Sequence, residues 1–278
     1  MPELPEVQTI CQELKQVILR KKIRRVNVYR KASIGYPQAD GFIKALLGKE
    51  IKDIQRRGKY ILFKLSQNKL LVFHLRLSGQ LRYFKELPQE IYKSERIRFI
   101  FSTGDALSFY EPRALGKAYL ISGNSYPQEL LGLKNLGPDP LEAIFTYKYL
   151  YNKIHNRRAK IKSLLLDQRI CAGVGNIYSD EALFLARIHP FTLAYKLSKH
   201  EIKRLVWALK KVLRQAIKTK GSSVKDYLRP NGSLGSYHLH AYVYGREGLS
   251  CRRCRTKISI LKFGNRRTRF CPRCQVLK

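Results

Sequence analysis

Asn135-Leu136-Gly137-Pro138-Asp139-Pro140 is the stretch that divides this sequence into two parts of different character. Proline and glycine in close succession favour a linker, because proline fixes φ while glycine adopts conformations that other residues avoid. Short β-rich runs precede the stretch, and helical periodicity follows it. The sequence therefore predicts a multidomain α+β protein. The predicted boundaries are residues 1–134, a linker at 135–141, residues 142–242 and a last segment at 243–278.

The N-terminal side of the linker contains short runs rich in β-branched and aromatic residues. Polar turns such as Ser66-Gln67-Asn68 separate these runs, which is typical of an antiparallel β-sandwich. The predicted strands cover residues 26–29, 60–63, 70–73, 97–101 and 107–110. Ahead of them an apolar stripe with helical spacing predicts an amphipathic helix that holds the N-terminus against the core. The stripe consists of Val7, Ile10, Cys11, Leu14, Val17 and Ile18.

The C-terminal side of the linker has helical periodicity. Residues 161–167 and 177–187 are predicted helices joined by a glycine-containing turn, which is a helix-turn-helix variant. The start of the second helix offers backbone N–H groups and the Asn176 amide, a combination suited to a phosphate.

A longer basic helix follows, and a loop comes after it. The helix opens with the capping box Ser198-Lys199-His200-Glu201, and its basic face is expected mainly to be solvated. Residues 220–242 are rich in glycine and serine and show no periodicity. A loop of this length is more often functional or mobile than neutral, and a lid over an extruded base is one candidate role.

Two cysteine pairs close the sequence. Cys251 and Cys254 are followed, sixteen residues later, by Cys271 and Cys274. This spacing predicts one structural Zn²⁺, because four thiolates complete a tetrahedron and leave no position for water. Disulfide pairing is the alternative, and it is disfavoured for an intracellular chain. The segment between the pairs is basic, which suits a DNA backbone.

The net charge favours one class of partner, although many of these side chains can serve only to solvate the surface. The chain has 55 Lys and Arg against 20 Asp and Glu, a formal charge of +35. Such a charge favours a polyanion, and nucleic acid is preferred to a membrane because no lipid anchor or long apolar run is present. The N-terminus lacks the pattern of a signal peptide. We expect a cytoplasmic, nucleoid-associated protein.

The first residues contain a candidate nucleophile. Pro2 is small enough for the initiator Met to be removed, which would leave a secondary amine that is partly uncharged at neutral pH. Its attack on C1′ of a sugar would give an iminium, with Glu3 and Glu6 placed to act as acid and base. A purely structural helix start is the alternative, with Pro5 in the first turn and Glu6 at the positive end of the helix dipole.

Loops in the N-terminal half supply further candidate contacts. Lys59 begins a strand, where a cation could hold a phosphate or the substrate base. Residues 74–79 and 111–116 each place an arginine beside an apolar residue at a strand end. These pairs are Arg76 with Leu77 and Arg113 with Leu115. An apolar wedge beside an arginine can fill the gap that an extruded base leaves in a duplex, although core packing of both leucines is the alternative.

These segments occur in the order found in formamidopyrimidine-DNA glycosylases, and the sequence resembles that family over essentially its whole length. The segments are Pro2-Glu3-Leu4-Pro5-Glu6, the Lys59 strand, His74-Leu75-Arg76-Leu77-Ser78-Gly79, Gly137-Pro138-Asp139-Pro140, Gly173-Val174-Gly175-Asn176-Ile177-Tyr178, Val243-Tyr244-Gly245-Arg246 and the four-cysteine finger. The resemblance implies an N-terminal catalytic β-sandwich with flanking helices, a helix-two-turns-helix domain and a zinc-finger hairpin.

The resemblance also implies an activity, namely base-excision repair of oxidised purines by a glycosylase that is also an abasic-site lyase. Pro2 would attack C1′, Glu3 would assist base loss, Glu6 would support the site, and β- and δ-elimination would cut the strand. The implied DNA contacts are Lys59 on the substrate and Lys162, Asn176 and Arg266 on the phosphates. The expected partner is damaged double-stranded DNA, bound by a monomer.

The sequence departs from the family pattern at the positions that handle the lesion. Leu77 and Leu115 occupy positions where methionine and phenylalanine are usual, so base stacking is weakened. Glu111 replaces an aspartate, and Ser236 stands where the lid often has tyrosine. These departures bear on specificity more than on chemistry. An endonuclease VIII-like enzyme for oxidised pyrimidines, which shares the same chemistry, is one alternative. A catalytically silent damaged-DNA-binding protein is another, and the intact set Pro2, Glu3, Glu6 and Lys59 argues against it. Leu4, instead of glycine, favours the formamidopyrimidine branch.

Overall fold

The computed structural model describes residues 2–123, 126–223 and 227–278. The chain forms two compact units, Met1–Asn135 with Lys220–Gly235, and Leu136–Thr219 with Ser236–Lys278. We call them unit 1 and unit 2. Met1, whose removal the proposed chemistry requires, and residues 224–226 of the predicted lid lie outside the described residues.

Unit 1 consists of two β-sheets with flanking helices. Its elements in chain order are α1 (Leu4–Ile18), β1 (Ile23–Val28), β2 (Ile34–Tyr36), α2 (Ala39–Leu46), β3 (Ile51–Arg57), β4 (Tyr60–Leu65), β5 (Lys69–His74), β6 (Gln80–Phe84), β7 (Glu95–Phe101), β8 (Ala106–Tyr110), β9 (Lys117–Ser122) and α3 (Leu131–Lys134). One sheet has the strand order β1-β7-β8-β6, and the other has the order β2-β9-β5-β4-β3. The predicted β-sandwich is confirmed.

Two features of unit 1 differ from the sequence prediction. Strand β2 pairs with β9 in parallel, whereas the other strand pairs of the two sheets are antiparallel, as predicted. The helix α2 was not predicted within this β-rich region. It forms because Phe42 and Leu46, one helical turn apart, both bury their side chains in the core.

The core of unit 1 is aromatic and aliphatic. Phe73 lies at its centre and makes edge-to-face contacts with Phe63, Phe99 and Phe109 at centroid distances of 5.4–5.9 Å. Helix α1 packs on β3, and its predicted stripe is buried except for Val17, which is partly buried. This packing places the N-terminus beside the sheet that contains β3, β4 and β5.

Unit 2 is helical and ends in a β-hairpin. Its elements are α4 (Tyr147–Ile154), α5 (Ile161–Leu166), α6 (Asn176–Leu185), α7 (Lys199–Lys218), α8 (Tyr237–His240), β10 (Ser259–Phe263) and β11 (Arg266–Phe270). The predicted capping box begins α7, where the Glu201 N–H donates to Ser198 Oγ at 3.2 Å and the Ser198 N–H donates to Glu201 Oε2 at 2.9 Å. Across the described residues, we find no helix with the length and hydropathy needed to cross a membrane.

Candidate functional site

The first turn of α1 holds the N-terminal site residues in a buried position. Pro2 is buried, and Glu3 and Glu6 are only 2% and 1% exposed. Glu3 is the N-cap residue of α1, and its backbone N–H donates to Glu6 Oε2 at 2.8 Å. The two carboxylates form a capping box, which orients the first turn. The structural role of this helix start is therefore compatible with the predicted chemical role of Pro2, Glu3 and Glu6.

Glu6 also connects α1 to a segment far along the chain. The Ser222 N–H donates to Glu6 Oε1 at 2.8 Å. Gly221 has φ of +82°, and a Cβ at this position would lie 2.8 Å from Glu6 Oε1. Both the backbone conformation and the available space thus require glycine. The glycine- and serine-rich segment begins at a fixed point on the N-terminal site.

Lys59 lies in the tight turn between β3 and β4. It is 8% exposed and follows Gly58, whose φ is +55°. Arg56 Nε donates to Gln8 Oε1 on α1 at 2.9 Å, and Arg56 Nη1 donates to the Gly58 carbonyl at 3.1 Å. Arg56 therefore ties the Lys59 turn to the second turn of α1.

One buried carboxylate organises both of the predicted wedge loops. Glu111 has no exposed area. Its Oε1 accepts hydrogen bonds from Ser78 Oγ at 2.5 Å and from the Arg113 N–H at 3.0 Å, while Oε2 accepts from the Gly116 N–H at 2.8 Å. A Cβ on Gly116 would come within 2.7 Å of Glu111 Oε2. The loop at residues 74–79 and the loop at residues 111–116 are thus fixed to the same side chain.

The two wedge leucines do not belong to the core. Leu77 is 40% exposed and Leu115 is 47% exposed, whereas the neighbouring Leu75 is 1% exposed. Arg76 and Arg113 are also exposed. Core packing, the alternative explanation for these leucines, is therefore excluded. Each loop presents an apolar side chain and a guanidinium to solvent.

His74 remains neutral beside these cations. The Arg76 N–H donates to its Nδ1 at 3.3 Å, which places the ring proton on Nε2. The ring also makes an edge contact with Tyr60 at a centroid distance of 4.5 Å. Burial, together with the positive charges of Arg76 and Lys59, lowers the pKa of His74 to about 3. The imidazole therefore adds no charge to this surface at neutral pH.

Two of the predicted phosphate ligands of unit 2 lie on elements that the structure joins. Asn176 is the first residue of α6, and its Nδ2 donates to the Arg267 carbonyl at 3.0 Å. Arg266, the preceding residue of β11, is exposed. The N-terminus of α6 and the basic hairpin are thus held together, and helix N-termini and arginines both favour phosphate.

Lys162 is placed differently from the other predicted DNA contacts. Its side chain has no exposed area, and Nζ donates to Asp180 Oδ1 at 2.5 Å. Asp180 Oδ1 also accepts from Thr268 Oγ1 at 2.6 Å, and Oδ2 accepts from the Arg269 N–H at 3.0 Å. Burial raises the pKa of Asp180, while the ammonium of Lys162 opposes that shift. Lys162 and Asp180 thereby link α5 and α6 to β11.

The four predicted metal ligands converge at the end of the chain. The Sγ atoms of Cys251, Cys254, Cys271 and Cys274 all lie within 4.8 Å of one another. The Sγ atoms of Cys254 and Cys271 are 3.4 Å apart and those of Cys251 and Cys274 are 3.9 Å apart. Both distances are much longer than a disulfide bond and close to the ~3.8 Å edge of a tetrahedron with Zn–S bonds of ~2.3 Å. The donor set and its spacing fit one structural Zn²⁺, and disulfide pairing is excluded for these atoms.

Several residues that organise the site were not singled out by the sequence. Asp180 lies in a largely apolar helical run. A charge within such a run is the one signal in the sequence that could have indicated a buried ion pair. Gly221 was included in the candidate lid without a role. The sequence marks Glu111 only as a departure from aspartate, although this carboxylate accepts hydrogen bonds from both predicted wedge loops.

Known proteins match the chain along nearly its full length. Residues 1–118 match the formamidopyrimidine-DNA glycosylase N-terminal domain, residues 136–227 match the H2TH domain of that enzyme, and residues 248–276 match the zinc finger found in FPG and IleRS. The formamidopyrimidine-DNA glycosylase of Pelotomaculum thermopropionicum is 40% identical over 278 residues, which is 100% of both chains.

Solved structures of similar proteins contain DNA. A point mutant of Lactococcus lactis FPG in complex with Fapy-dG-containing DNA is 35% identical, with a TM-score of 0.92 over 99% of this chain and 100% of that one. The wild-type Lactococcus lactis FPG with DNA containing an oxidised pyrimidine is also 35% identical, with a TM-score of 0.91 over the same shares of both chains. From its fold, its four-cysteine site and these matches, the chain belongs to the formamidopyrimidine-DNA glycosylase family.

Proposed function

We propose that this chain is a bifunctional repair enzyme that removes 8-oxoguanine and formamidopyrimidines from duplex DNA and then cuts the strand at the abasic site. The observation that carries this proposal is the buried Glu6 carboxylate. It accepts the Glu3 N–H and the Ser222 N–H, and so holds the segment that contains Pro2 and Glu3 in one orientation. A positioned nucleophile with a neighbouring acid is what covalent catalysis at C1′ needs.

The reaction uses groups from the first turn of α1. Once Met1 is removed, Glu3 donates a proton to the ring oxygen, the C1′–O4′ bond breaks as the sugar opens, and the Pro2 nitrogen attacks C1′. The glycosidic bond then breaks, and the damaged base departs with its electron pair and takes up the proton that the Pro2 nitrogen loses, which leaves an iminium between Pro2 and C1′. Loss of a C2′ proton expels the 3′ phosphate, and loss of a C4′ proton then expels the 5′ phosphate. Water hydrolyses the remaining iminium and restores the Pro2 amine.

DNA binding involves both units in this proposal. Leu77, Arg113 and Leu115 fill the space of the extruded nucleotide, Arg76 supports that wedge, and Lys59 contacts the substrate. Asn176 and Arg266 bind phosphates beside the lesion. Lys162 contributes through the Asp180 link to β11, because its ammonium is buried.

The protein binds one structural metal ion and acts on DNA in the cell as a monomer. One Zn²⁺ on the four cysteines closes the hairpin that presents Arg266, and with four protein ligands it leaves no open position. The protein acts as a monomer on chromosomal DNA, which associates it with the nucleoid. We retain residues 1–134, the linker 135–141, residues 142–242 and residues 243–278 as its functional domains, although residues 220–235 pack within unit 1.

Incision of a matched duplex that contains 8-oxoguanine tests the proposal. The expected product is a one-nucleotide gap with phosphate at both ends, which gel mobility and mass spectrometry identify. Glu3→Gln should abolish base removal but retain cutting of a preformed abasic site. Glu129→Gln, at an exposed carboxylate of the same unit, is the matched control and should cut normally. Tight binding of the damaged duplex without any cutting would contradict the proposal and identify a silent binding protein.

Oxidised pyrimidines are the second candidate substrates. A similar Lactococcus lactis protein was solved with DNA containing an oxidised pyrimidine, and Leu115 lacks the aromatic ring usual in the family. The same incision assay on a duplex with an oxidised pyrimidine compares the two substrates directly. Faster cutting of the pyrimidine duplex would assign the chain to endonuclease VIII-like specificity.

A further inference from the structure

A basic and aromatic pocket on α7 is not used by the proposed repair reaction. The pocket has a volume of about 650 Å³ and lies entirely within unit 2. Trp207, Tyr237 and Tyr242 contribute aromatic rings, and no acidic residue is among the described residues that line it. Its cations are Lys210, Lys211, Arg214, Lys218 and Arg252. The pocket therefore combines aromatic surface with concentrated positive charge.

Trp207 is unusual in being left at the surface. It is the single tryptophan of the chain and is 50% exposed. Lys211 Nζ lies 4.8 Å from its ring centroid, so a cation and an aromatic face are presented together. Burial of a tryptophan side chain normally stabilises a protein, because it removes a large apolar area from water.

The pocket is one part of a longer stripe along α7. Cations and Trp207 recur at spacings of three or four residues, which places them on one face of the helix. The stripe consists of Lys199, Lys203, Trp207, Lys211, Arg214 and Lys218, all of them exposed. A helix of 20 residues is about 30 Å long, so the stripe spans several nucleotides of an extended strand.

A buried carboxylate holds two of the aromatic residues that line the pocket, Tyr237 and Tyr242. Glu181 has no exposed area, and its Oε2 accepts from the Tyr237 hydroxyl at 3.1 Å and from the Tyr242 N–H at 2.8 Å. Tyr242 also stacks on Phe184 at a centroid distance of 5.4 Å. Tyr237 and Tyr242 are thus held in place before any ligand binds.

We propose that the α7 stripe and the Trp207 pocket bind single-stranded DNA through residues that include none of the predicted lesion contacts. An unpaired base stacks in the pocket, and the backbone phosphates follow the cations of α7. A duplex would not place a base on Trp207, because its bases are paired and stacked on one another. A second copy of the chain is disfavoured as the occupant, since each copy carries a formal charge of +35.

The single tryptophan makes the site directly observable. The protein is first saturated with undamaged duplex, and a thymidine oligonucleotide of about eight nucleotides is then added. Stacking on Trp207 should quench the tryptophan fluorescence in a saturable way. Trp207→Leu should weaken binding of the labelled oligonucleotide about tenfold. Tyr195→Leu, at a site 47% exposed in the same unit and outside the pocket, is the matched control and should bind normally.

Charge variants and competitors complete the test. The affinity for single-stranded DNA falls with salt, and the steepness of this fall is the slope of log K against log[salt]. In the double variant Lys211→Gln with Arg214→Gln the magnitude of this slope should decrease by about 1.4, because each phosphate that is no longer neutralised contributes ~0.7. Three results would overturn the proposal. They are unchanged tryptophan fluorescence at saturating oligonucleotide, equal quenching by polyglutamate of matched charge, and complete quenching by the duplex alone. Incision of the lesion duplex should be unchanged in Trp207→Leu, so failure of this site is distinguishable from failure of the repair activity.

Discussion

Two buried carboxylates, Glu111 in unit 1 and Asp180 in unit 2, organise candidate DNA-binding elements in different ways. Glu111 accepts hydrogen bonds from a hydroxyl and two backbone N–H groups of the wedge loops. Asp180 is paired with the ammonium of Lys162, and it also accepts from Thr268 and from the Arg269 N–H. Both have no exposed area, so each depends on its partners for the solvation that it has lost.

The difference between the two sites lies in what the removal of a partner leaves behind. Removing a neutral donor from Glu111 leaves a carboxylate that two other donors still solvate. Removing Lys162 leaves a buried negative charge without its counterion, which is much more costly than a missing hydrogen bond. We therefore expect loss of Lys162 in unit 2 to destabilise the protein more than a change at the Glu111 site of unit 1 that leaves no buried charge unpaired.

The largest effect is expected for Lys162→Met. The change leaves Asp180 buried without its counterion and should lower the free energy of unfolding by about 3–5 kcal/mol. Chemical denaturation monitored by circular dichroism measures this decrease. The double variant Lys162→Met with Asp180→Leu is the control and should recover most of the stability, because the buried charge is removed together with its partner. A single variant as stable as the wild type would contradict the comparison.

Glu111→Gln should have a smaller effect on stability. The amide keeps one acceptor oxygen, but its NH₂ group faces donors of the wedge loops, so the free energy of unfolding should fall by about 1–3 kcal/mol. Incision should slow by more than this decrease in stability explains, because Leu77 and Leu115 are no longer held in one arrangement. Denaturation and single-turnover incision, measured on the same preparation, separate the two effects. Unaltered incision would show that Glu111 does not position the wedge.

The free energy of unfolding should also depend on pH, because His74 in unit 1 is held neutral in the folded state. The folded-state pKa of His74 is about 3, below the ordinary value of 6.5, so the unfolded chain binds more protons between these two values. The stability contribution of the neutral imidazole is therefore complete above pH 6.5 and is lost progressively as the pH falls towards 3. From pH 7 to pH 5 this loss should be roughly 1–2 kcal/mol. His74→Gln should lack this component, and urea denaturation across that range tests it.

The smallest effect on stability is expected at the wedge tips. Leu77→Ala and Leu115→Ala remove exposed side chains, so the free energy of unfolding should change by less than about 0.5 kcal/mol. Incision should nevertheless fall about tenfold, because the space of the extruded nucleotide is left unfilled. Leu115→Phe should restore stacking and speed incision. A large decrease in stability in either alanine variant would show that the leucine is packed in the core.

Local features of this fold were predictable from the sequence, and long-range ones were not. The α1 stripe, the Ser198 cap and the cysteine pairs depend on spacings within a few residues, and the structure confirms them. The parallel pairing of β2 with β9 joins segments that no local pattern relates. The Glu6–Ser222 hydrogen bond spans 216 residues.

Burial of charged side chains was the main feature of the site that the sequence did not reveal. Lysine is a residue type usually found at the surface, so nothing in the sequence indicates that Lys162 is buried. Only tertiary packing places it against Asp180. The exposure of Leu77 and Leu115 was equally undetermined, because a leucine at a strand end fits either a core or a wedge. Their exposure depends on the loop geometry set by Glu111.

Borohydride trapping on a duplex that contains 8-oxoguanine tests the central claim most directly. The claim is that the Pro2 nitrogen, in a site ordered by Glu6, forms the covalent intermediate. Mass spectrometry of the trapped protein should find the DNA adduct on Pro2 of chains that lack Met1 and no adduct on chains that retain it. An adduct on a lysine such as Lys59, or no adduct on Met1-free protein that still binds the duplex, would contradict the claim.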